Sequence, residues 1–422
     1  MSSCSCSAYV RSLDGARDRI MKILFIHEVN YRSKVVYEMH EFPELLSARG
    51  HDVTFFHFPE GEHTVSPHSW AVRTNVALIP GRAYPETQVR LVTPPHIGGR
   101  PTERLLAPVL NIPSLRNLIT HGKFDAIVSY SVPTTGWQAV NFAKRAGVPF
   151  VFRAIDISHS LRETHFGSLI QRAERYVYRN ASLVSSNNPA LAEYCLRNGA
   201  HADQVCINLP PLDTEHFSPG PRDPALMRRL GLDPNDRVIL FMGTLFRFAG
   251  LADVMNTLRP ALRSRANLRL VVLGDGEHRR HLHDLAHTLE LGDRVVFTGR
   301  VEYEVLPQYL RLATVAINPF EHSLTTDCAL PHKVLQYLAS GCPSVSTDLE
   351  GLMGVLGDTS GCVFAPSPSL VASTALKLID DELLQSMSEQ GREFAVRSLS
   401  TAAAVSSMES TIQQLVVNRS SS

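Results

Sequence analysis

Short apolar runs recur along the first half of the chain, separated by stretches whose apolar positions fall at helical spacing. KILFIH (22–27) is followed by a run to Leu46, the punctuation SARGH, and DVTFFHF (52–58). The same alternation continues through DAIVSY, a helical stretch from Gly136 to Arg145, FVFRA, a longer one from Phe166 to Arg179, ASLVSS, one from Ala190 to Arg197, and QVCIN. Residues 58–120 are less regular. Strand runs without internal polar alternation are those of a parallel sheet covered on both faces, so the pattern predicts an α/β class built from strand, helix, strand units.

LPPLDTEHFSPGPRD carries four prolines and no apolar period, and beyond it the pattern restarts: RVILFM, LRLVVL, RVVFTG, TVAINP and PSVST, each pair separated by a helical stretch. The expected organisation is a disordered tail at 1–20, a Rossmann-like domain at 21–206, a linker at 207–222, a second Rossmann-like domain at 223–397, and a closing helix and polar tail at 398–422. Ligands of doubly wound sheets sit at the carboxyl ends of strands and between domains, so the chemistry is expected in the cleft.

Composition narrows the class further. The 422 residues are 44% hydrophobic and 19% charged, and the formal net charge is zero, which is the profile of a globular chain with two real cores. There are 22 Lys and Arg against 17 Asp and Glu in residues 1–212, too mild an excess for a nucleic-acid binder. The seven cysteines (Cys4, Cys6, Cys195, Cys206, Cys328, Cys342 and Cys362) form neither a disulfide framework nor a CxxC pair, which fits a reducing cytoplasm. The tail MSSCSCSAYVRSLDGARDRI has no apolar core of a signal peptide, and Met21 stands as an alternative start directly before the first strand. No apolar run approaches ~20 residues, the length that spans a membrane. GRPTERLLAPVLNIPSLRNLITHGK mixes basic and apolar residues, which leaves peripheral contact at the inner membrane face open; its two prolines argue for a helix lining the cleft instead.

Three motifs carry candidate chemistry. FMGTLFRFAGL sets Gly243 and Thr244 after a strand and Gly250 before a helix, so that backbone amides and Arg247 could converge on an anion; such turns also occur in α/β domains with no ligand. VVLGDGEHRRHL lacks a dinucleotide fingerprint, since Arg279 takes the third glycine position; its His278, His281, His283 and His287 read as a solvated helix face, with no metal. CALPHKVLQYLASGCPSVS predicts a helix opening at Pro331. There the amides of Ala329, Leu330 and His332, the helix dipole and the Lys333 ammonium could meet a phosphate, and Gln336 a polyol. Lys333 and Gln336 equally fit the polar side of an ordinary amphipathic helix.

The series LPPLDTEHFSP, FMGTLFRFAGL, VVLGDGE, DRVVFTGRVEYEVLPQYL, ATVAINPF and LPHKVLQYLASGCPSVSTDLEG, in this order over roughly residues 205–365, resembles the carboxyl half of family 4 glycosyltransferases of GT-B fold. The resemblance implies two Rossmann-like domains facing across a cleft, a nucleotide-sugar donor on the second and an acceptor on the first, and transfer with retention at the anomeric carbon. It implies no cofactor and no metal, a UDP-sugar as first expectation and a GDP-sugar as second, and a sugar, lipid-linked sugar or small molecule as acceptor. Donor contacts are carried to Gly243, Thr244, Arg247, Asp327, Cys328, Ala329, Leu330, Lys333 and Gln336. Asp156 and His159, in FRAIDISHSLRETHF, take the catalytic positions, and Glu28, Asn30 and Lys34, in HEVNYRSK, the acceptor side. The sequence departs from the family in three places. No glycine follows the first strand, Ala249 stands where the phosphate loop usually has a basic residue, and Cys328 and Gln336 replace the paired glutamates. Asp327 and Glu321 are the carboxylates nearest to Cys328 in the chain. A nucleotide-sugar epimerase of related fold, or a catalytically lapsed nucleotide-sugar-binding subunit, are the competing readings.

Overall fold

A computed structural model describes residues 19–59, 70–71, 73–97, 103–160, 166–358 and 360–420. The expected tail at 1–20 lies almost wholly outside the described residues. The strands are β1 (Lys22–Ile26), β2 (Asp52–Phe56), β3 (Trp70–Ala71), β4 (Asn75–Pro80), β5 (Gln88–Thr93), β6 (His96–Ile97), β7 (Ala126–Ser129), β8 (Phe150–Ala154), β9 (Leu183–Ser186), β10 (Val205–Ile207), β11 (Arg237–Met242), β12 (Leu268–Leu273), β13 (Val295–Gly299), β14 (Val315–Asn318), β15 (Ser344–Thr347) and β16 (Cys362–Ala365). They form an eight-stranded sheet in the order β10-β9-β8-β7-β1-β2-β5-β4 and a six-stranded sheet in the order β13-β12-β11-β14-β15-β16, with β3 and β6 as a small separate ribbon. Both large sheets are parallel apart from β4, which runs antiparallel to β5.

The order of each sheet reverses at one place. β1 lies between β2 and β7, with Leu24 opposite both Thr54 and Ile127, and β11 lies between β12 and β14, with Leu240 opposite Val271 and Ala316. At such a reversal the two following connections leave in opposite directions, opening a crevice at the carboxyl ends of the strands. Glu28 and Ser131 stand above the first reversal, Gly243 and Pro319 above the second.

The central strands β1, β7, β11 and β12 are largely apolar because helices cover both faces. In the second sheet, Ile239 and Phe241 point to a cluster with Val254, Leu258 and Val371, while Leu240 packs with Val334, Leu335 and Leu338 on the other side. The last helix, Thr401–Ser420, leaves the second sheet and crosses back to the first, where Val405, Met408, Ile412 and Val416 pack against Met21, Ile23 and Phe25. Its Glu409 accepts from Arg49 and lies 2.9 Å from His51 Nε2, and Asn208 Nδ2 donates to Ser407 Oγ at 2.7 Å. The helix runs to Ser420, through most of the stretch expected as a closing helix and polar tail.

The basic-apolar stretch at 99–123 contains two helices, Glu103–Leu110 and Ile112–His121, with the break at Asn111. Pro108 stays within the first helix, and Pro113 sits in the opening turn of the second, where its missing N–H costs nothing.

Candidate functional site

The second reversal point is built around a buried cation. Lys333, in the first turn of helix His332–Ala339, sends its Nζ 4.3 Å from the Phe241 ring centroid and 3.8 Å from that of Phe320. The ammonium is enclosed and has no hydrogen-bond partner, and burial pushes its pKa well below the ordinary lysine range. The ring faces supply part of its solvation, but an unpaired ammonium in this position favours an anion beside it. Gly243 gives that anion room. A Cβ there would lie 3.1 Å from Lys333 Nζ, and the backbone φ of +146° is one that side chains rarely adopt. Gly274 is needed for a different reason, since its Cβ would meet the carbonyl oxygen of Gly243 at 1.9 Å. The GDG stretch after β12 is therefore shaped by packing against the β11 loop.

The remaining donor-side residues divide. Thr244 and Arg247 are exposed, and the Arg247 charge acts on His278, whose pKa is lowered first by burial and then by His281 and Arg247. Phe246 and Phe248, on either side of it, stack at 5.0 Å, and Phe248 meets Phe320 edge-on. The expected free amide of Ala329 is a correction: it donates to Thr326 O at 3.1 Å, closing the turn before the helix. Cys328, carried over as a donor-side residue, lies against the first domain. Its thiol packs with Leu191, Tyr194 and Cys195 of the first domain, burial pushing its pKa up to about 11, while its carbonyl accepts from Asn188 Nδ2 at 2.9 Å. Leu330 and Gln336 are buried, at 7% exposure each. Asp327 Oδ1 lies 2.6 Å from His322 Nδ1, and His322 was not among the expected residues.

Above the first reversal point, Glu28 Oε1 accepts from Ser131 Oγ at 2.6 Å and from the Thr134 and Thr135 amides at 2.6 and 3.3 Å. Those amides open helix Gly136–Ala146, so the carboxylate occupies a helix N-terminus. Burial raises its pKa, and these hydrogen bonds oppose the rise. Asn30 is buried and its Oδ1 accepts the Arg32 amide, which shapes the turn after β1. Lys34 is exposed, and its carbonyl accepts from Arg82.

Asp156 follows β8, and its pKa is raised to about 7 by burial and then by Glu38, with Lys34 opposing. His159 Nδ1 lies 2.8 Å from Glu174 Oε2. The Glu174 carboxylate is fully buried and also accepts from Ser158 N, Tyr178 Oη and Tyr194 Oη. Nδ1 is thus the donor to Glu174, leaving Nε2 as the atom of the ring that can act outward. Arg153, which sequence reasoning missed inside the apolar run FVFRA, donates from Nε and Nη2 to Glu38 at 2.7 and 2.8 Å and from Nη1 to the Asn208 carbonyl. Among the described residues no group of three His, Cys, Asp or Glu is arranged to hold a metal ion.

The two halves match two family models: "Glycosyl transferase 4-like domain" over residues 38–210 and "Glycosyl transferases group 1" over residues 236–381. The chain is 24% identical over 210 residues to a 2-deoxystreptamine N-acetyl-D-glucosaminyltransferase of Streptomyces fradiae, covering 49% of this chain and 48% of that protein. It is 30% identical over 199 residues to a D-inositol 3-phosphate glycosyltransferase of Acidothermus cellulolyticus, covering 44% and 42%. The chain thus spans about half the length of the curated relatives it matches. Among solved structures, it is similar to sucrose-phosphate synthase of Thermosynechococcus elongatus, with a TM-score of 0.75 at 16% identity, covering 94% of this chain and 100% of that one. It is also similar to HepE of Anabaena in complex with UDP and glucose, with a TM-score of 0.70 at 16% identity, covering 93% and 99%. At these identities the structural likeness speaks for the fold, which is GT-B.

Proposed function

The chain belongs to the GT4-like glycosyltransferases of GT-B fold, and on that premise we propose that it moves a sugar from a nucleotide-diphosphate sugar to an acceptor hydroxyl with retention of anomeric configuration. The observation that carries this reading is the enclosed, unpartnered Lys333 ammonium against Gly243 at the reversal point of the second sheet. The donor's pyrophosphate takes that place. During transfer the bond from the anomeric carbon to the leaving phosphate oxygen breaks, and a bond from the acceptor oxygen to the same carbon forms on the same face. The acceptor's proton passes to the departing phosphate. Negative charge grows on that phosphate as the bond breaks, so a fixed cation stabilises the transition state more than the ground state. Bound phosphate in turn restores the charge that burial disfavours on Lys333.

A UDP-sugar is the first choice of donor and a GDP-sugar the second. The acceptor, a sugar, lipid-linked sugar or small molecule, approaches from the first domain between Glu28 and Asp156. His159 Nε2 orients it or meets positive charge on the sugar ring. Thermal-shift measurement against nucleoside diphosphates tests the donor site directly, because a ligand of the folded state raises the melting temperature according to its affinity. No shift with any of them, at concentrations up to millimolar, overturns the reading.

The chain works in the cytoplasm, where cysteines stay reduced; Cys195, Cys328, Cys342 and Cys362 are buried free thiols. No described helix is long and apolar enough to cross a membrane. Peripheral contact with an anionic inner leaflet is supported by three neighbouring helices of the first domain, Ile112–His121, Gly136–Ala146 and Gly167–Asn180. Their exposed charges are Arg116, Lys144, Arg145, Arg172, Arg175 and Arg179, and the one acid among them, Glu174, is buried. Cosedimentation with anionic but not neutral vesicles is the expected result, and equal recovery with both sinks this part.

The replacement of both family glutamates by Cys328 and Gln336 favours one second reading, a nucleotide-sugar-binding subunit without turnover. Calorimetric binding of the donor with no consumption of it across a broad acceptor panel would select that reading.

A further inference from the structure

His322 stands between β14 and the short helix Leu324–Asp327, and both of its ring nitrogens meet carboxylates. Nδ1 lies 2.6 Å from Asp327 Oδ1, and Nε2 lies 3.0 Å from Asp348 Oδ1. An ionised carboxylate oxygen only accepts, so the ring serves both partners only as imidazolium. The two acids raise its pKa accordingly, the hydrogen bond to Asp327 first. This cation ties the connection after β14 to the one after β15, where the Asp348 amide is itself fixed by donating to Ala365 O at 3.2 Å.

The bridge sits on the carboxyl edge of the second sheet, the edge that carries Gly243. Phe320, two residues before His322, is the residue whose ring lies 3.8 Å from Lys333 Nζ. The three side chains remain accessible, at 43% for His322, 27% for Asp327 and 35% for Asp348. The ring occupies Oδ1 of each carboxylate and leaves each Oδ2 as an acceptor of fixed direction. Sugar hydroxyls are donors that such acceptors suit. Cys328, where the family carries one of its glutamates, is turned into the first domain's apolar cluster.

We propose that Asp327 and Asp348, held in place by His322, accept hydrogen bonds from the hydroxyls of the donor sugar and so do the work of the missing glutamate. The inference rests on the donor-site reading above and adds to it the residues that separate a sugar nucleotide from a bare nucleotide. His322 is a positioning residue and the two aspartates are the contacts.

The test is calorimetric binding of UDP and of a panel of UDP-hexoses to the full chain, with GDP and GDP-hexoses as the second series. The measurement is made on the wild type and on Asp327→Ala, Asp348→Ala and His322→Gln. The expected result is bare-nucleotide affinity within about twofold of wild type in all variants, which also reports an intact fold. Affinity for the best-bound sugar nucleotide should fall about tenfold or more in the aspartate variants, the scale of a hydrogen bond to a charged group, and by less in His322→Gln. Unchanged sugar-nucleotide affinity in both aspartate variants overturns this inference and leaves the donor site standing. A wild-type chain that binds neither nucleotide overturns the donor-site reading and this inference with it.

Discussion

Ser131 Oγ donates to Glu28 Oε1 at 2.6 Å, joining the loops that leave β1 and β7 where the order of the first sheet reverses. The same oxygen takes the Thr134 and Thr135 amides. Glu28→Ala therefore leaves a helix start without its acceptor, and urea denaturation should show a loss of about 1–3 kcal/mol. An unchanged midpoint would mean that water replaces the carboxylate at no cost.

Lys333 separates stability from activity. Lys333→Met removes an enclosed, unpaired ammonium, so the ligand-free protein should gain about 1–2 kcal/mol in the same assay. The melting-temperature rise caused by nucleoside diphosphate should vanish. Turnover should fall about 100-fold, the effect of losing one charge-stabilising donor worth about 3 kcal/mol. A variant that is destabilised and still binds nucleotide would place the phosphate elsewhere.

Asp156 gives the pH dependence. Its pKa is about 7 in the fold, against about 3.9 for an exposed aspartate in the unfolded chain. Between those values the native state binds the proton and the unfolded state does not. Unfolding free energy must then decline as pH rises through this window, and the contribution is complete below about pH 4. Asp156→Asn should flatten that decline when stability is measured by denaturant from pH 4 to 8; an identical slope in both proteins counts against a buried, protonated Asp156.

Arg153 and Glu38 form a buried bidentate pair at 2.7 and 2.8 Å. Removing one member strands the other charge, so Arg153→Leu should cost about 3–5 kcal/mol. The double variant Arg153→Leu with Glu38→Leu should recover part of the loss. A double variant less stable than the single one would show that Glu38 is held by partners other than Arg153, such as Tyr130.

Asn188 tests the contact between the domains. Its Oδ1 accepts the Leu191 amide at 2.9 Å as a helix cap, and its Nδ2 donates to Cys328 O across the interface. Asn188→Asp keeps the cap and removes the donor. The new carboxylate oxygen faces the Cys328 carbonyl and Asn187 Oδ1 in a fully buried position, so urea denaturation should show a loss of about 1–3 kcal/mol, with faster amide exchange around 326–330. Protected amides there would mean that apolar packing of Cys328 alone holds the contact.

The double α/β architecture was legible because buried parallel strands such as KILFIH and RVILFM are apolar without interruption. The β4 and β5 pair was not, since NVALIP lies at an edge with Val76 and Leu78 exposed and so lacks the burial of a core strand. Lys333 was legible as a cation near a helix start, but its enclosure by Phe241 and Phe320 depends on residues distant in the chain. Gln336 and Cys328 look alike in the sequence, as two substitutions of one residue type; packing sends the thiol into the other domain. The bridge from His322 to Asp327 and Asp348 joins groups five and twenty-six positions apart. No periodicity encodes that pairing, because it is made by two loops that meet only after the sheet has formed.

The return of helix Thr401–Ser420 to the first sheet makes the order of synthesis matter. Met21, Ile23 and Phe25 emerge from the ribosome early, yet the residues that cover them are made only after both sheets. The amino-terminal half must wait with an uncovered face while the other half is translated and folds, so a ribosome that stalls late leaves an incomplete product prone to aggregation.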